Sequence, residues 1–522
     1  MKGESALASD LRRAAEQHGD RVAVIHEGGV LTYERLTAAV EKISVELAAY
    51  GVTDGDCVAW HGHKSAAAVA AVHGILRAGA GYVPLDASAP RDRNDAIING
   101  QKPRALLADG PTREVWERTD PDLRWSPITV PRPITEDLWF APLPDPRSSH
   151  IVDIAYVLHT SGSTGRPKGV VHTHASARAF LDWAVSELEL TGDDVLVNSA
   201  PLHFDLSILD LFGACRVGAA VAVLPPSVAP LPAGYAEFCR DAGATVWYTV
   251  PSTLAWLTRR GTELVAGIRS LRVVALAGEV VRPPDVAALR AAIPAIRVWN
   301  LYGPTETNVC TYHEVRSGHP LDEPVPIGRA LPEVELSIVD ERRRPVPEGE
   351  VGELLVRGDT VMAGYIDERD DRDAFVATPD GRIWYATGDN VRIDAHGDLV
   401  FIGRNDQQIK SRGHRIELGE VEEVITGLPG VGACVAVAAP DPLFGNTITV
   451  FVQPAPSAQA EALTLLAQAV RTALPPYMVP QRIISLTDTW PTLSNGKADR
   501  RRLSELALSS NALRGEGVSV VW

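Results

Sequence analysis

The sequence has few cysteines, and none of them form closely spaced pairs. The 5 cysteines are scattered, at Cys57, Cys215, Cys239, Cys310 and Cys434. No C-x-x-C pair occurs, so neither a disulfide framework nor a zinc site is expected. An odd number of isolated thiols fits a reducing compartment, and we expect a cytoplasmic protein.

Long apolar runs and basic clusters are missing as well. No apolar stretch reaches the roughly 20 residues that a membrane-spanning helix needs. The N-terminal segment MKGESALASDLRRAAEQHGD lacks the apolar core of a signal peptide and is typical of an amphipathic helix. The net charge is −16, and no basic block or Arg–aromatic cluster occurs. We therefore expect neither nucleic acid nor a membrane as a partner.

The chain is long enough for several domains, with 522 residues of which 45% are apolar and 22% charged. In its first part, strand-like runs such as DCVAWHG, GYVPLD and ATVWYTVP alternate with helix-like segments such as SAAAVAAVHGILRAGA. Strands and helices in alternation predict the α/β class, with parallel sheets sandwiched by helices.

The pattern changes twice further along the chain. From residue 325 short alternating strands follow one another, among them VELSIVD, GELLVRG and GDLVFIGR, which predict a small β-barrel or a meander. After GRNDQQIKSRG, two helical segments and two strand-like runs predict an α+β unit. We therefore predict a large N-terminal domain of residues 1–404, with its β-barrel part at 325–404, and a small C-terminal domain of residues 405–522.

The stretch HTSGSTGRPKG suggests a phosphate-binding loop. It differs from a P-loop because Pro167 before Lys168 has no N–H and Gly169 after it has no hydroxyl for Mg²⁺. Its glycines and hydroxyl residues suit a loop that wraps an anion with N–H and O–H groups. A plain turn or linker is the alternative, but apolar runs on both sides predict a strand–loop–strand arrangement instead.

Four further motifs each allow a functional and a plain structural interpretation. In NLYGPTET, Glu306 suits a cation bound to phosphate and Tyr302 suits base stacking, or the motif is a simple turn. In YATGD, Asp389 lies just past a predicted strand end and suits ribose hydroxyls, or it belongs to a hairpin turn. In HFDLSILD, Asp205 is a candidate buried carboxylate or a helix cap. In LSNGKADRRRL, Lys497 follows an Asn-Gly turn, where a lysine is usually solvated.

The order of these motifs is more specific than any one of them. TSGSTGRPKG, FDLS, NLYGPTE, GELLVRG, YATGD, GRNDQQIKSRGHRIELGEVE, LPPYMVP and NGKADRRRL follow one another along the chain. In this order they resemble the adenylate-forming superfamily of acyl-CoA synthetases, luciferases and peptide-synthetase adenylation domains. The sequence looks most like a stand-alone amino-acid adenylation enzyme, similar to prolyl-carrier-protein ligases, and the resemblance covers nearly all of residues 10–505.

The resemblance implies a two-step, ATP-dependent reaction with Mg²⁺. A carboxylate attacks the α-phosphorus of ATP, pyrophosphate leaves, and the resulting adenylate acylates a thiol. Catalytic roles fall to Lys497, Lys168, Thr164 and Glu306, and Glu306 also holds the metal. ATP binding is implied for the following residues: Thr160, Ser161, Gly162, Ser163, Thr164, Gly165, Lys168, Ala277, Gly278, Glu279, Asn300, Tyr302, Gly303, Thr305, Asp389, Arg404 and Lys497. The small domain is expected to rotate about Asp406 between the two steps.

The resemblance also implies an amino-acid pocket. Its lining is expected to comprise Asp205, Leu206, Leu209, Thr249, Ala275, Ala277, Leu301, Val309 and Cys310. Asp205 would bind the α-ammonium, and the other positions carry neither a charge nor a large aromatic ring. A neutral, mostly apolar L-amino acid is therefore expected, with proline favoured, although Thr249 and Ala275 are smaller than the residues usual in prolyl enzymes.

No attachment site for phosphopantetheine is found in the sequence, so a free-standing carrier protein is the expected acyl acceptor in nonribosomal peptide or antibiotic biosynthesis. An acyl- or aryl-CoA ligase is the alternative activity, and Asp205 argues against it. An inactive ATP-binding scaffold is the alternative from another class. The joint presence of Lys168, Glu306, Asp389 and Lys497 argues against a scaffold.

Overall fold

The chain folds into two compact units in the computed structural model, which describes residues 6–132, 134, 136–147, 151–162, 166–404, 408–441, 445–455, 460–486, 491–492, 498–508 and 518–520. The first unit comprises residues 1–87, 97–159 and 168–405, and the second comprises 88–96, 160–167 and 406–522. Asp406 lies outside the described residues, so the hinge, like the predicted domain boundary and the mobility of the small domain, stays a prediction.

Two large sheets dominate the first unit, and each contains a central set of adjacent parallel strands. In the described residues, one sheet has 9 strands, in the spatial order Arg329–Ala330, Thr311–Glu314, Arg297–Tyr302, Val273–Leu276, Val246–Thr249, Val195–Asn198, Ala220–Val223, Val22–His26 and Gly29–Thr32. The other has 8, in the order Gly364–Tyr365, Lys168–Thr173, Ile154–Thr160, Gly81–Leu85, Cys57–His61, Ala105–Asp109, Leu138–Pro142 and Ser126–Ile128. The predicted α/β class is confirmed.

The edges of these sheets differ from the prediction, because several outer strands are antiparallel. Arg297–Tyr302 pairs antiparallel with Thr311–Glu314, which in turn pairs antiparallel with Arg329–Ala330. Only a short loop joins Tyr302 to Thr311, and a parallel pair would need a crossover of a dozen or more residues. The loop length therefore dictates the antiparallel edge.

The predicted β-rich part is an antiparallel sheet. Its 5 strands in the described chain are Val334–Val339, Gly352–Gly358, Ile383–Ile393, Phe375–Ala377 and Leu399–Arg404.

The expectation that Asp389 lies past a strand end is wrong, because the strand Ile383–Ile393 continues through Asp389. Gly388 adopts a φ of +72°, and the pairing partners shift between Glu353 and Leu355. A bulge thus takes up the extra residues, so the strand does not turn.

Helices cover the sheets, and local sequence signals set several of their ends. The Thr32 side chain accepts a hydrogen bond from the Arg35 amide, and Ser65 does the same for Ala68. The helices of the described residues are Ala6–His18, Tyr33–Ala49, Ala66–Arg77, Arg91–Gln101, Gly110–Thr119, His174–Glu187, Leu206–Ile208, Ala214–Val217, Pro232–Asp241, Pro251–Arg260, Thr262–Ala266, Pro283–Ala292, Asp371–Ala374, Leu418–Thr426, Ala460–Ala473 and Arg500–Leu508. A π-helical turn, Leu209–Gly213, and a 3₁₀ turn, Thr305–Thr307, complete them. Within the described ranges, no helix is long and apolar enough to span a bilayer.

The second unit has its own sheets and its own apolar core. Within its described residues, a four-stranded sheet runs in the order Val431–Asp441, Gly445–Pro454, Arg482–Leu486 and Val518–Val520, and a hairpin joins Gln408–Ser411 to His414–Glu417. The core side chains include Ile416, Val421, Val450, Leu466 and Ile483, all nearly inaccessible to solvent. The predicted helices and strands of the α+β segment are therefore confirmed.

Asp194 holds together the amino ends of three adjacent parallel strands. Its carboxylate, 4% exposed, accepts hydrogen bonds from Arg272 at 2.7 and 2.8 Å, from the Thr245 hydroxyl at 2.7 Å and from the Thr191 amide at 2.8 Å. Asp194, Thr245 and Arg272 each directly precede a strand of the nine-stranded sheet. Burial by itself raises the pKa of Asp194, but the bonds from Arg272, Thr245 and Thr191 outweigh it and lower that pKa.

We predict that Asp194→Asn lowers the free energy of unfolding at pH 7 by about 2 kcal/mol, the value typical of hydrogen bonds to a charged group. The depressed pKa makes this stabilisation fully present above the unfolded-state pKa of about 3.9 and lost as pH falls through the folded-state pKa. Urea unfolding at pH 7 and at low pH measures both effects. Asp193→Asn is the matched control, since the Asp193 side chain is 90% exposed. If the difference in the free energy of unfolding between wild type and Asp194→Asn were the same at all pH values, the stabilising role of the Asp194 carboxylate would be contradicted.

Candidate active site

Several predicted nucleotide and pocket residues of the first unit lie at or just past the carboxyl ends of neighbouring parallel strands. Val246–Thr249, Val273–Leu276 and Arg297–Tyr302 lie side by side, and their last residues precede the motifs in question. The Ala277 amide donates to the Thr249 carbonyl at 3.1 Å, so the chain segments beyond the strands stay close together. Ligands of open α/β sheets bind at this edge.

The GPTET motif forms a tight loop that buries Glu306. A Cβ atom on Gly303 would lie 2.1 Å from the Asn308 carbonyl oxygen, so this close approach requires glycine. Asn308 has a φ of +54°, a region that asparagine tolerates better than most residues. The loop closes when the Cys310 amide donates to the Tyr302 carbonyl at 2.8 Å. Glu306, at the centre of the loop, is 0% exposed.

Glu306 is fixed by bonds to its side chain and to its backbone. The Tyr365 hydroxyl donates to Oε1 at 2.7 Å, and the Met362 amide donates to the Glu306 carbonyl at 2.7 Å. Beside it, His172 Nε2 lies 2.8 Å from the Thr305 carbonyl. Burial lowers the pKa of His172 to about 4, against the opposing effects of the Thr305 carbonyl and Glu306. The imidazole is therefore neutral at pH 7 and donates to Thr305 through Nε2.

Lys168 lies over the ring of Tyr365, the residue whose hydroxyl binds Glu306. Its Nζ is 5.5 Å from the ring centroid and 3.3 Å from Asp370 Oδ1. Tyr365 and Asp370 were not singled out in the sequence, and local spacing gives no signal for them. Tyr365 and Glu306 are 59 residues apart in the chain, and the backbone bond from Met362 to Glu306 together with the pairing of Gly364–Tyr365 with Lys168–Thr173 brings them together.

Asp389, Tyr302 and Arg404 form a second cluster. The Tyr302 hydroxyl donates to Asp389 Oδ2 at 2.5 Å, and Arg404 Nη1 donates to Oδ1. Antiparallel pairing places Asp389 opposite Arg404 in register. Burial, and then the Asp389 carboxylate, raises the pKa of Tyr302 well above its ordinary value, so the hydroxyl keeps its proton. The structure thus brings together three residues predicted to bind the nucleoside.

Two predicted nucleotide-binding side chains have structural partners. Glu279 Oε2 accepts from the Ser252 amide at 2.8 Å, near the N-terminus of the helix Pro251–Arg260. Asn300 Nδ2 donates to the Pro326 carbonyl at 2.7 Å. Both residues remain next to the predicted adenine site along the chain. Their side chains are nevertheless engaged in holding neighbouring segments, and their roles toward ATP stay predictions.

The residues predicted for the amino-acid pocket are buried, apart from the half-buried Asp205. Asp205 starts the helix at Leu206 without a side-chain capping bond, so the alternative of a helix cap is wrong. Ala275 pairs with Trp299, and alternation places Leu301 on that same face of the sheet. Thr249 instead pairs with Leu276, and the register therefore puts it on the opposite face from Ala275.

A buried polar cluster next to this helix was missed in the sequence. Lys64 Nζ donates to the carbonyls of Asn198 at 3.0 Å and Ser199 at 2.8 Å. Asn198 Nδ2 donates to Asp210 Oδ2 at 3.1 Å, within the π-helical turn that follows Leu206–Ile208. Burial lowers the pKa of Lys64 to about 7, although the nearby Asp210 carboxylate acts to raise it. The hydrogen bond from Asn198 to Asp210 thus joins the strand Val195–Asn198 to the π-helical turn that continues the pocket helix.

The predicted phosphate loop is described only in part. Ser163, Thr164 and Gly165 lie outside the described residues, as does Lys497. In the second unit, the Ser161 hydroxyl donates to the Arg415 carbonyl at 2.8 Å and accepts from the Glu417 amide at 3.2 Å. The flanking strands Ile154–Thr160 and Lys168–Thr173 confirm the predicted strand–loop–strand arrangement.

Known proteins match the chain over almost its whole length. Residues 11–366 match the family described as AMP-binding enzyme, and residues 420–497 match the AMP-binding enzyme C-terminal domain. An L-proline–[L-prolyl-carrier protein] ligase of Pseudomonas fluorescens is 36% identical over 506 residues, which cover 93% of this chain and 96% of that protein. A ligase of the same description from Streptomyces coelicolor is 36% identical over 514 residues, covering 94% and 95%.

A solved structure supports the same grouping. The amide bond synthetase McbA from Marinactinospora thermotolerans matches with a TM-score of 0.80 at 25% identity, and the match covers 95% of this chain and 99% of that one. The fold, the order of the motifs and the family match over more than half of the chain agree. The chain belongs to the AMP-binding enzyme family and is an ATP-dependent, adenylate-forming ligase.

Proposed function

We propose that the protein activates an L-amino acid as aminoacyl-AMP and transfers it to the phosphopantetheine thiol of a separate carrier protein. The observation that carries this proposal is the grouping of Lys168 and Glu306 about Tyr365, together with the Asp389–Arg404 pair, which binds Tyr302 at the start of the Glu306 loop. The two curated relatives, which match end to end and are described as prolyl-carrier-protein ligases, support the same activity.

In the first step, a carboxylate oxygen of the amino acid forms a bond to the α-phosphorus of ATP, and the bond to pyrophosphate breaks. No proton has to be removed, because the carboxylate is already ionised. Both reactants are anions, so catalysis depends on positive charge and on positioning. We propose Lys497 and Lys168 as the cations at the α-phosphate and at the leaving phosphates.

Glu306 fits a Mg²⁺ ion that is shared with ATP. The described residues contain no group of three or more His, Cys, Asp or Glu side chains placed to hold a metal by themselves. Mg²⁺ commonly binds through one or two carboxylates, with substrate phosphates and waters as its other ligands. A single buried carboxylate held by Tyr365 suits that mode, and the bound ion would neutralise phosphate charge.

Asp389 and Arg404 are proposed to bind the ribose, and Tyr302, Ala277, Gly278 and Gly303 the adenine. Asp389 accepts bonds from both Tyr302 and Arg404, which fixes the orientation of its carboxylate. A carboxylate that is already oriented loses little entropy when it accepts the ribose hydroxyls. Thr305 is proposed at the α-phosphate.

Asp205 is proposed to bind the α-ammonium of the amino acid. It makes no capping bond to its own helix, and its charge contributes, after burial, to raising the pKa of Tyr248. Leu206, Leu209, Ala275, Leu301, Val309 and Cys310 leave an apolar remainder for the side chain. A charged side chain there would lack a partner. L-proline is therefore the favoured substrate, followed by other neutral, mostly apolar amino acids.

The second step is proposed to follow a rotation of the small domain about Asp406. The thiolate of the carrier attacks the acyl carbon, and AMP leaves with the pair of bonding electrons. An acyl- or aryl-CoA ligase remains the second candidate. Asp205 argues against the CoA ligase activity, because an aryl or fatty acid has no ammonium to offset a carboxylate in the pocket.

ATP–pyrophosphate exchange over the twenty amino acids, pipecolate and substituted prolines tests the proposed function. We expect the strongest exchange with L-proline or another neutral apolar residue, because the pocket offers no countercharge to a side chain. Loading of a carrier protein, followed by mass spectrometry, tests the second step. Strongest exchange with aspartate, lysine or an aryl acid would contradict the pocket assignment.

We predict that Lys497→Ala abolishes exchange while ATP binding survives. A single donor to a developing anion typically contributes about 3 kcal/mol or more, so the rate of adenylation should fall by at least a hundredfold. Exchange kinetics and equilibrium binding of ATP are the two measurements. Lys42→Met serves as a control for the loss of a lysine, since Lys42 pairs with Glu46 on the surface of the helix Tyr33–Ala49 and has no assigned contact with ATP. Near-normal exchange in Lys497→Ala would remove Lys497 from the mechanism.

We predict that Asp205→Ala raises the KM for the amino acid at least tenfold and leaves the KM for ATP nearly unchanged. The ammonium would lose its carboxylate partner, whereas the nucleotide residues keep theirs. Asp205→Asn separates charge from shape in the same assay. The role would be refuted if wild-type enzyme turned over the des-amino analogue as well as the amino acid.

A further inference from the structure

Tyr365 is held between the two residues proposed to bind the metal and the phosphates. Its hydroxyl donates to Glu306 Oε1 at 2.7 Å, and Lys168 Nζ lies 5.5 Å from the centroid of its ring. The side chain is 4% exposed. One buried tyrosine therefore contacts a carboxylate through its hydroxyl and an ammonium through the face of its ring.

Backbone pairing fixes Tyr365 relative to both partners. Tyr365 pairs with Val170 on the strand that begins at Lys168, and the Ile366 amide donates to the Gly169 carbonyl at 2.9 Å. On the other side, the Met362 amide donates to the carbonyl of Glu306 itself. The segment 362–366 thus joins the strand of Lys168 to the loop of Glu306 independently of the side chains.

The segment after Tyr365 supports this position. Asp371 Oδ1 accepts from the Tyr365 amide at 2.8 Å, and Asp370 pairs with Lys168 at 3.3 Å. Gly364 has a φ of +145°, and a Cβ there would lie 3.2 Å from the Asp371 carboxylate. A side chain at Gly364 would disturb the bond that holds the Tyr365 backbone.

We propose that Tyr365 is a positioning residue that couples metal binding to phosphate binding. Its hydroxyl orients the Glu306 carboxylate so that a lone pair faces the metal, as outer hydrogen-bonding partners of metal ligands do. Its ring face holds the Lys168 ammonium by a cation–π contact, within the usual limit of about 6 Å. The inference rests on the proposed function, in which Glu306 binds Mg²⁺ and Lys168 binds phosphate.

Tyr365→Phe removes the hydroxyl and keeps the ring. We expect the Mg²⁺ concentration for half-maximal binding of a non-hydrolysable ATP analogue to rise about tenfold. This is the lower end of the range of losses in metal affinity when a metal ligand loses its hydrogen-bonding partner. At saturating Mg²⁺ the affinity for the analogue should return to the wild-type value. Isothermal titration calorimetry without any amino acid measures both. The KM for the amino acid should stay unchanged in the exchange assay.

Tyr365→Leu removes the ring as well. We expect the same Mg²⁺ defect together with a several-fold weaker affinity for the analogue at saturating Mg²⁺, because Lys168 loses its platform. In a Glu306→Gln background, Tyr365→Phe should have no further effect on the Mg²⁺ dependence, since residues that act through one another are not additive.

Tyr82→Phe is the matched control for the loss of a buried hydroxyl. Tyr82 is 0% exposed, and its hydroxyl has no hydrogen-bond partner in the described structure. This variant should keep the wild-type Mg²⁺ dependence, and thermal unfolding confirms that all variants fold. An unchanged Mg²⁺ dependence in Tyr365→Phe would overturn the proposal, as would an equal shift in Tyr82→Phe. Absence of exchange with every amino acid would refute the proposed function instead, because the binding assay uses none.

Discussion

The candidate active site requires that adjacent parallel strands of the nine-stranded sheet end side by side. The buried Asp194 carboxylate fixes their alignment from their amino ends, opposite the site. Asp194, Thr245 and Arg272 precede three neighbouring strands and are joined by hydrogen bonds of 2.7 to 2.8 Å. Each strand is only 4 residues long where it crosses this region. A slip of one residue would reverse every side chain on it. The ion pair at the amino ends therefore fixes which residues face the ligand at the carboxyl ends.

Signals confined to a few neighbouring residues predicted the fold well. The alternation of strand and helix in the first part of the chain and the strands on either side of the phosphate-loop motif follow from local chemistry, and they agree with the structure. The bulge at Gly388 could not be predicted from the sequence, because Gly-Asp has the same local pattern in a turn as in a bulge. Only the pairing partner across the sheet, with its shift between Glu353 and Leu355, decides between the two.

The candidate site was predictable where one residue carries the chemistry, and not where two distant residues share it. Asp205 stands out because a carboxylate in an apolar setting needs an explanation, and Glu306 and Asp389 stand out through the motifs NLYGPTET and YATGD. Tyr365 and Lys64 do not, because tyrosine and lysine are ordinary residues until the sheet places them beside a buried partner. Thr249 shows the converse. Its place in the chain favours the pocket, whereas its pairing with Leu276 sets it on the face opposite Ala275.

The buried acids of the first unit differ in the partners that the fold supplies, and this difference sorts their roles. Asp389 is paired with the Arg404 guanidinium, and a carboxylate balanced in this way suits neutral hydroxyls such as those of a ribose. Tyr365 offers Glu306 a hydrogen bond from a neutral hydroxyl, which orients the Glu306 carboxylate. Asp205 precedes the short helix Leu206–Ile208 in an αR backbone conformation and makes no side-chain capping bond to it. The proposed roles follow this difference: the carboxylate paired with a guanidinium is assigned to the nucleoside, and the carboxylate oriented by a neutral hydroxyl is assigned to the metal.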